Sequence, residues 1–346
     1  MHTRGYAAQA ADTPLAPFTF ERRAVGDKDV QLEIEFCGIC HSDIHFVRNE
    51  WGFTAYPAVP GHEIIGRVVK TGKGVTRLKQ GQRVGVGCFV NSCGHCASCT
   101  SGHENYCQTS LTMTYGSIEA DGVTPTFGGY STQIVVDDRF VFTIPENLDP
   151  AGAAPLLCAG ITTYTPLQAV GIKKGSHVAV MGLGGLGHMG VKLARSFGAT
   201  VAVLSRSPEK EADATRLGAQ EFVLTTTPGA LDALAGRFDA VLDTISAKHD
   251  ITGALNILKP GGTLMLVGAS PEPLEFNPMP LLVGGRKIMG SLVGGVPDTQ
   301  AMLDHCGTHG IVSDIELITP DGINAAYERA LKGDVKYRFV IDCTKF

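Results

Sequence analysis

The chain is predicted to be an α/β protein of two domains, a glycine-rich β-domain and a parallel, doubly wound sheet. Three observations predict this. Its 346 residues are more than one hydrophobic core usually serves. Strands alternate with helices only in the middle of the sequence, which is the pattern of a parallel sheet covered on both faces. Near the C-terminus, "VKYRFVID" (335–342) is a strand that can return to the first domain. The expected boundaries are 1–150 together with 291–346 for the β-rich domain, and 151–290 for the doubly wound one.

Taken in order, "KDVQLEIEF" (28–36) alternates polar and apolar residues, as a half-buried strand does. "GRVVKTG" (66–72) and "GQRVGVGCFV" (81–90) are short strands broken by glycine turns. No helical periodicity of any length is seen before about residue 150. Then "HVAVM" (177–181) is a buried strand, followed by a glycine-rich turn, an apolar-periodic helix "HMGVKLARSFG" (188–198) and a second buried strand in "ATVAVLSRS" (199–207). A helical "PEKEADATRLGA" (208–219), strands "EFVL" (221–224) and "FDAVLDTI" (238–245), a helix near 250–258 and "GGTLMLVG" (261–268) continue the alternation. Beyond about residue 290 the character is mixed, and no internal repeat or low-complexity tract interrupts it.

Composition narrows the function. The chain is 44% hydrophobic and 18% charged, as globular proteins are. A net charge of -5 argues against a nucleic-acid or anionic-membrane partner, because each needs a basic face. No apolar run approaches the roughly 20 residues that span a bilayer, and "MHTRGYAAQAADTPL" has no apolar signal core. The expectation is a cytoplasmic protein. In a reducing compartment clustered cysteines mean metal or catalysis rather than disulfides. Isolated cysteines, here Cys88, Cys306 and Cys343, read as small buried hydrophobes, and Cys37 is left open because it lies close to Cys40.

"GLGGLG" spans Gly182, Leu183, Gly184, Gly185, Leu186 and Gly187, with a strand before it and a helix after it. That context makes it a dinucleotide-binding loop. Gly182 permits the tight turn, Gly184 lets the backbone approach a pyrophosphate, and Gly187 lets the helix pack close; the helix N-terminus attracts the anion. The end of the second strand selects the cofactor. A carboxylate there would bind the ribose 2'-hydroxyl of NAD, but this chain has Ser205, Arg206, Ser207 and Lys210. Hydroxyls and positive charge suit a 2'-phosphate, so NADP(H) is expected over NAD(H). The bland alternative is that Arg206 and Lys210 are solvated surface charges.

Four of the ten cysteines form one obvious cluster: Cys93, Cys96, Cys99 and Cys107, spaced C-x2-C-x2-C-x7-C in the lobe 87–110. Four thiolates saturate a tetrahedral Zn2+, the pattern of a structural site, without help from His95 or His103. A second set is scattered. Cys40, His62 and Cys158 would make a Cys2His site with one position open, which describes a catalytic zinc, but spacing alone cannot unite residues so far apart.

The sequence resembles the zinc-dependent, medium-chain alcohol dehydrogenases, and within them the cinnamyl alcohol dehydrogenase group with its bacterial NADPH-dependent aldehyde reductases. The resemblance covers nearly the whole chain and rests on "GICHSDIH", "EWG", "VPGHEI", the four-cysteine lobe, "APLLCAGITTYTPL", "GLGGLGH" and "DVKYRFVID". It implies a GroES-like catalytic domain and a Rossmann cofactor domain. It implies that Cys40, His62 and Cys158 ligate catalytic zinc, with Glu63 as an exchangeable fourth ligand. Ser42 matches the hydroxyl that contacts substrate oxygen, His45 the histidine that ends the proton relay, and Asp43 the carboxylate behind the ligands. Thr162, Thr244, Gly268, Ser291, Leu292 and Val293 match cofactor-contacting positions. Trp51, the only tryptophan, matches a substrate-pocket position where a rigid ring would select aromatic or apolar aldehydes; plain core is the competing reading. The implied function is an NADP(H)-linked interconversion of primary alcohols and aldehydes by a homodimer or homotetramer carrying two Zn2+ per chain. A polyol or short aliphatic alcohol dehydrogenase of the same superfamily is the alternative. The intact relay residues speak against a zinc-stabilised binding protein without catalysis.

Overall fold

The computed structural model describes the whole chain, Met1–Phe346, and divides it into two compact units. One comprises Met1–Cys158 and Gly294–Phe346, the other Ala159–Val293.

The first unit is built on a seven-stranded, mainly antiparallel sheet. Its path runs Ile315–Ile318, Arg338–Asp342, Asp29–Gly38, Ile64–Thr71, Arg83–Val86 and Phe142–Thr143, with Gln133–Asp137 also paired to Asp29–Gly38. The long strand Asp29–Gly38 organises it. Leu32 and Ile34, expected on its apolar face, have at most 1% of their surface exposed. Fully burying such a side chain contributes about 1.5–3 kcal/mol against the entropy of ordering it. The C-terminal strand pairs antiparallel with this same strand, Val340 opposite Gly38, as expected from "VKYRFVID". The cysteine lobe is an excursion between Phe89–Asn91 and Thr112–Met113, which pair to close its neck.

One expectation fails here. A helix, His41–Val47, lies before residue 150 where none is expected, and shorter helical turns follow at Ala97–Thr100 and Glu104–Tyr106. Seven residues are too few for a 3.6-residue period to show. The signal that was available is the cap: the Asp43 carboxylate accepts the backbone N–H of Cys40 at 2.8 Å, as a third-position acid does at a helix start.

The second unit is a six-stranded, wholly parallel sheet. Its order is Glu221–Leu224, Thr200–Ser205, His177–Met181, Phe238–Asp243, Leu258–Leu266 and Lys287–Gly290. Numbered along the chain this reads 3-2-1-4-5-6, the dinucleotide-binding order. Val178–Val180, Val201–Leu204 and Ala240–Leu242 are buried on both faces, so they read as continuous apolar runs. The sixth strand, "KIMG", went unseen in the sequence. It is a half-exposed edge of four residues, with too little apolar pattern to distinguish it from loop.

Candidate active site and metal centres

Asp43 joins two of the scattered candidates. Cys40 precedes the helix His41–Val47 in extended conformation, and its backbone N–H is fixed on Asp43 Oδ2. Asp43 Oδ1 accepts the N–H of Gly61 at 3.0 Å and lies 3.5 Å from His62 Nδ1. Gly61 has φ +104°, and a Cβ there would fall 2.6 Å from the Tyr130 ring, so only glycine lets the chain enter at this angle. Cys158 ends the turn Ala154–Leu157 and approaches from the other side, its Sγ 3.9 Å from that of Cys40. The ligand atoms of Cys40, His62, Glu63 and Cys158 all lie within 4.8 Å of one another, and all four residues are buried.

The electrostatics suit a cation. A hydrogen bond from Cys158 holds the Cys40 thiol well below its usual range, while the same contact pushes Cys158 up. Burial raises the Asp43 carboxyl. His62 Nδ1 is within 3.0 Å of the Tyr115 hydroxyl, which leaves Nε2 buried with no hydrogen-bond partner. A buried, orphaned imidazole nitrogen among two thiols and a carboxylate is the donor set of a Cys2His zinc site, with a carboxylate orienting the histidine from behind. The residues therefore fit the metal. Glu63 Oε1 pairs with the Arg338 guanidinium, and Oε2 has no partner.

The rest of "GICHSDIH" is arranged around this set. Ser42 is half-buried on the helix. His45 Nδ1 is 2.5 Å from Glu50 Oε2, and its ring lies against Trp51 with centroids 5.6 Å apart. Trp51 is 44% exposed and stacks on Phe53, so it is not plain core.

Cys93, Cys96, Cys99 and Cys107 also fall within 4.8 Å of one another, on the lobe and only partly covered. Backbone N–H groups point at sulfur, from Cys96 to Cys93 at 3.3 Å and from Gln108 to Cys96 at 3.5 Å. Cys93 is drawn down to about 5, first by the backbone at His95, whereas burial pushes Cys99 up to about 11. His95 and His103 bond locally, to the Cys93 carbonyl and Ser101, and stand outside the cluster.

The glycine loop begins at the C-terminal end of His177–Met181. Gly182 has φ +85°, and a Cβ on Gly187 would lie 2.0 Å from the Gly182 carbonyl. Both must be glycine for the fold alone. Gly184 differs: a Cβ there would meet nothing within 4 Å, so the protein itself gives no reason for glycine. An open position of this kind is a cradle that a pyrophosphate needs and a side chain would fill. Leu183 to Leu186 complete the loop, and Gly187 begins the helix Gly187–Ser196. Lys210 Nζ donates to the Leu183 carbonyl at 2.9 Å, and burial lowers its pKa. Ser205 is buried and its hydroxyl accepts the N–H of Ser207, while Arg206 is exposed. Thr244 Oγ1 donates to the Met181 carbonyl at 2.8 Å, and Gly268 packs on Ile245, so both border the loop. Thr162 is buried in the helix Ala159–Ala169. Ser291 Oγ is buried without a partner, Leu292 is 55% exposed, and Val293 has φ +44°.

The sequence did not point to the partners of these groups. Arg338 is 275 positions from Glu63, and Tyr115 is 53 from His62, so no spacing links them. Cys88 needs correction. Rather than an inert buried hydrophobe it is half-buried beside the active cluster, held down to about 6 first by hydrogen bonding with Cys158 and then by His62. The strand Arg83–Val86 ends just before it and delivers it there. Cys37, Cys306 and Cys343 are fully buried, and burial raises the thiols of Cys37 and Cys343.

Comparison with known proteins matches this geometry. Residues 26–146 match the alcohol dehydrogenase GroES-like domain family, and residues 185–308 the zinc-binding dehydrogenase family. An NADP-dependent alcohol dehydrogenase C of Mycolicibacterium smegmatis is 53% identical over 97% of this chain and 97% of its own length. A cinnamyl alcohol dehydrogenase from Sorghum bicolor superposes with a TM-score of 0.96 at 47% identity, covering 99% of this chain and 98% of the other. A cinnamyl alcohol dehydrogenase from Helicobacter pylori, solved with NADP(H), gives a TM-score of 0.93 at 40% identity, covering 100% and 99%. The chain therefore belongs to the zinc-binding, medium-chain alcohol dehydrogenases and, within them, to the cinnamyl alcohol dehydrogenase group.

Proposed function

We propose that this enzyme interconverts primary alcohols and aldehydes with NADP(H), and that aromatic or bulky apolar substrates such as cinnamaldehyde suit it best. The observation that carries the reading is the buried Cys40–His62–Glu63–Cys158 set with its orphaned His62 nitrogen. Zinc held by Cys40, His62 and Cys158 would supply Lewis-acid polarisation of the substrate oxygen, and the nicotinamide would supply or accept the hydride.

The chain's own residues do the rest. Asp43 fixes His62 from behind, so that Nε2 faces the thiols. Glu63, held by Arg338, keeps one oxygen turned toward the cluster and can exchange into it. Ser42 contacts the substrate oxygen, and His45 passes the proton to solvent, a task suited to an imidazole because its ring can both accept and donate a proton. The carboxylate of Glu50 orients that ring. Trp51 and Phe53 offer a flat apolar wall, which favours bulky substrates over the polyol alternative. Cys93, Cys96, Cys99 and Cys107 hold a second, saturated zinc that braces the lobe.

On the nucleotide side, Gly182 to Gly187 receive the pyrophosphate. Ser205, Arg206, Ser207 and Lys210 receive the 2'-phosphate, with Thr162, Thr244, Gly268 and Ser291 to Val293 around the cofactor. The exposed edge strand Lys287–Gly290, flanked by Leu282 and Val283 at 72% and 80% exposure, supports assembly as a homodimer or homotetramer. No helix is long and apolar enough to cross a membrane, and the cytoplasm is the compartment the free thiols suit.

The test is NADPH or NADH oxidation followed by absorbance with trans-cinnamaldehyde. Lys210→Ala should lower kcat/KM for NADPH about tenfold, the worth of one charge-assisted contact, and leave NADH nearly unchanged. Preference for NADH in the wild type would sink the 2'-phosphate assignment. No turnover with cinnamaldehyde alongside rapid turnover of polyols would sink the substrate assignment.

A further inference from the structure

The turn after the fourth parallel strand is held in an unusual way. Phe238–Asp243 ends in Asp243, which is 1% exposed. Its carboxylate accepts the Ile245 N–H at 3.0 Å through Oδ1, and Oδ2 lies 2.7 Å from His249 Nε2. On the far side of the same ring, Nδ1 lies 2.7 Å from the Ala247 carbonyl. A carbonyl only accepts, so Nδ1 carries a hydrogen; the carboxylate on the other side then calls for a hydrogen on Nε2 as well. Both ring nitrogens face acceptors, and the His249–Asp243 pair holds a proton that a neutral imidazole facing an ionised carboxylate lacks. The charged groups facing the ring are acids: Asp243 from the strand and Asp250, which caps the helix Ile251–Asn256.

The clasped turn borders the nucleotide loop. Thr244 Oγ1 reaches the carbonyls of Met181 and Gly182, at 2.8 and 3.2 Å. A Cβ on Gly182 would fall 2.9 Å from Thr244 Oγ1, and one on Gly268 would fall 2.3 Å from the Ile245 carbonyl. Residues 244–245 are thus wedged between two glycines at the strand ends, where a displacement of the turn would displace the glycine loop.

We propose that His249 is a positioning residue for the nucleotide cradle: as an imidazolium it clasps the Thr244–Ile245 turn against the glycine loop, and nucleotide affinity falls when the pair loses its proton. The inference rests on the cofactor reading given above. Burial disfavours the charged ring, but the bonds to Asp243 and Ala247 outweigh it, and its pKa is raised above the usual histidine value. For a raised pKa the contribution is complete below about 6.5 and is lost as pH rises through the higher folded value.

The experiment measures NADPH dissociation constants by fluorescence from pH 7 to pH 9, above the range where the 2'-phosphate itself titrates, near pH 6. It is paired with 15N NMR of the imidazoles, with the His249 signal assigned by its absence in His249→Asn. The wild type should weaken about tenfold over this range, as loss of a charge-assisted bond requires. His249→Asn should bind weakly and lose the histidine-linked part of the pH dependence, keeping only the loss at the alkaline end that Lys210, whose pKa burial lowers, gives both proteins. Asp243→Asn should move the histidine-linked loss to lower pH. The His249 ring should carry two protons at pH 7. A wild-type affinity that does not change with pH, a His249→Asn profile that follows the wild type, or a singly protonated ring at pH 7 would each overturn the proposal. Absence of NADPH binding at every pH would sink the cofactor reading instead, and the imidazole spectrum would still decide whether the clasp exists.

Discussion

The two cysteine clusters use the same ligand chemistry in opposite ways. The lobe draws its four thiols from 15 consecutive residues, 93–107, and leaves them only partly covered. The other cluster draws on Cys40, His62, Glu63 and Cys158, spread over three segments and wholly buried. In the lobe every donor is sulfur, so a tetrahedral ion has no position to spare. In the buried set a histidine and a carboxylate replace two thiols, and Glu63 is divided between the cluster and Arg338. A closed site can be local because its task is to tie the local chain. An open site needs the burial and the oriented groups that only a folded sheet supplies.

The widest contrast is in turnover. His62→Ala should lower kcat/KM by at least about a thousandfold, some 4 kcal/mol of barrier, in protein whose circular dichroism is unchanged. A loss of less than about tenfold would remove His62 from the ligands and erase the distinction between the clusters.

A second break point is Arg338. Arg338→Met leaves Glu63 buried and unpaired, which should cost about 3–5 kcal/mol of stability in denaturant titrations. The double change Glu63→Gln with Arg338→Met should recover most of it, as a coupled pair requires. Equal loss in the single and double variants would mean that Arg338 acts through packing and not through Glu63.

The lobe should show the mildest response. Cys99→Ser should reduce bound zinc from two ions per chain to one by atomic emission, and lower Tm by about 10 °C, for a structural contribution of a few kcal/mol. The kcat of the remaining folded enzyme should stay within about threefold of wild type. Abolished turnover in folded, one-zinc protein would show that the closed site is coupled to the chemistry.

How much of this was legible depended on sequence distance. The lobe, the glycine loop and the alternating strands of the doubly wound unit each lie within a window where spacing and periodicity carry the signal. The helix His41–Val47 and the edge strand Lys287–Gly290 did not, because each is too short to show a period. Cys40, His62 and Cys158 could be grouped only through the resemblance of the surrounding motifs. Cys88 was legible only as an isolated cysteine, which reads as a small buried hydrophobe, and nothing in the sequence drew attention to Tyr115, Arg338 or the pairing of His249 with Asp243.

By itself, then, the amino-acid sequence determined the elements whose causes are local: four thiols at knuckle spacing, glycines where φ must be positive or a helix must approach a strand, and apolar runs that must be buried on both faces. Tertiary structure alone decided which polar groups face one another. It placed Asp43 behind His62, Arg338 on Glu63, Lys210 on the glycine loop and His249 on Asp243. The physical reason is that a buried charge or an orphaned nitrogen is tolerable only with a partner, and the sheet supplies that partner from wherever in the chain its strands happen to end.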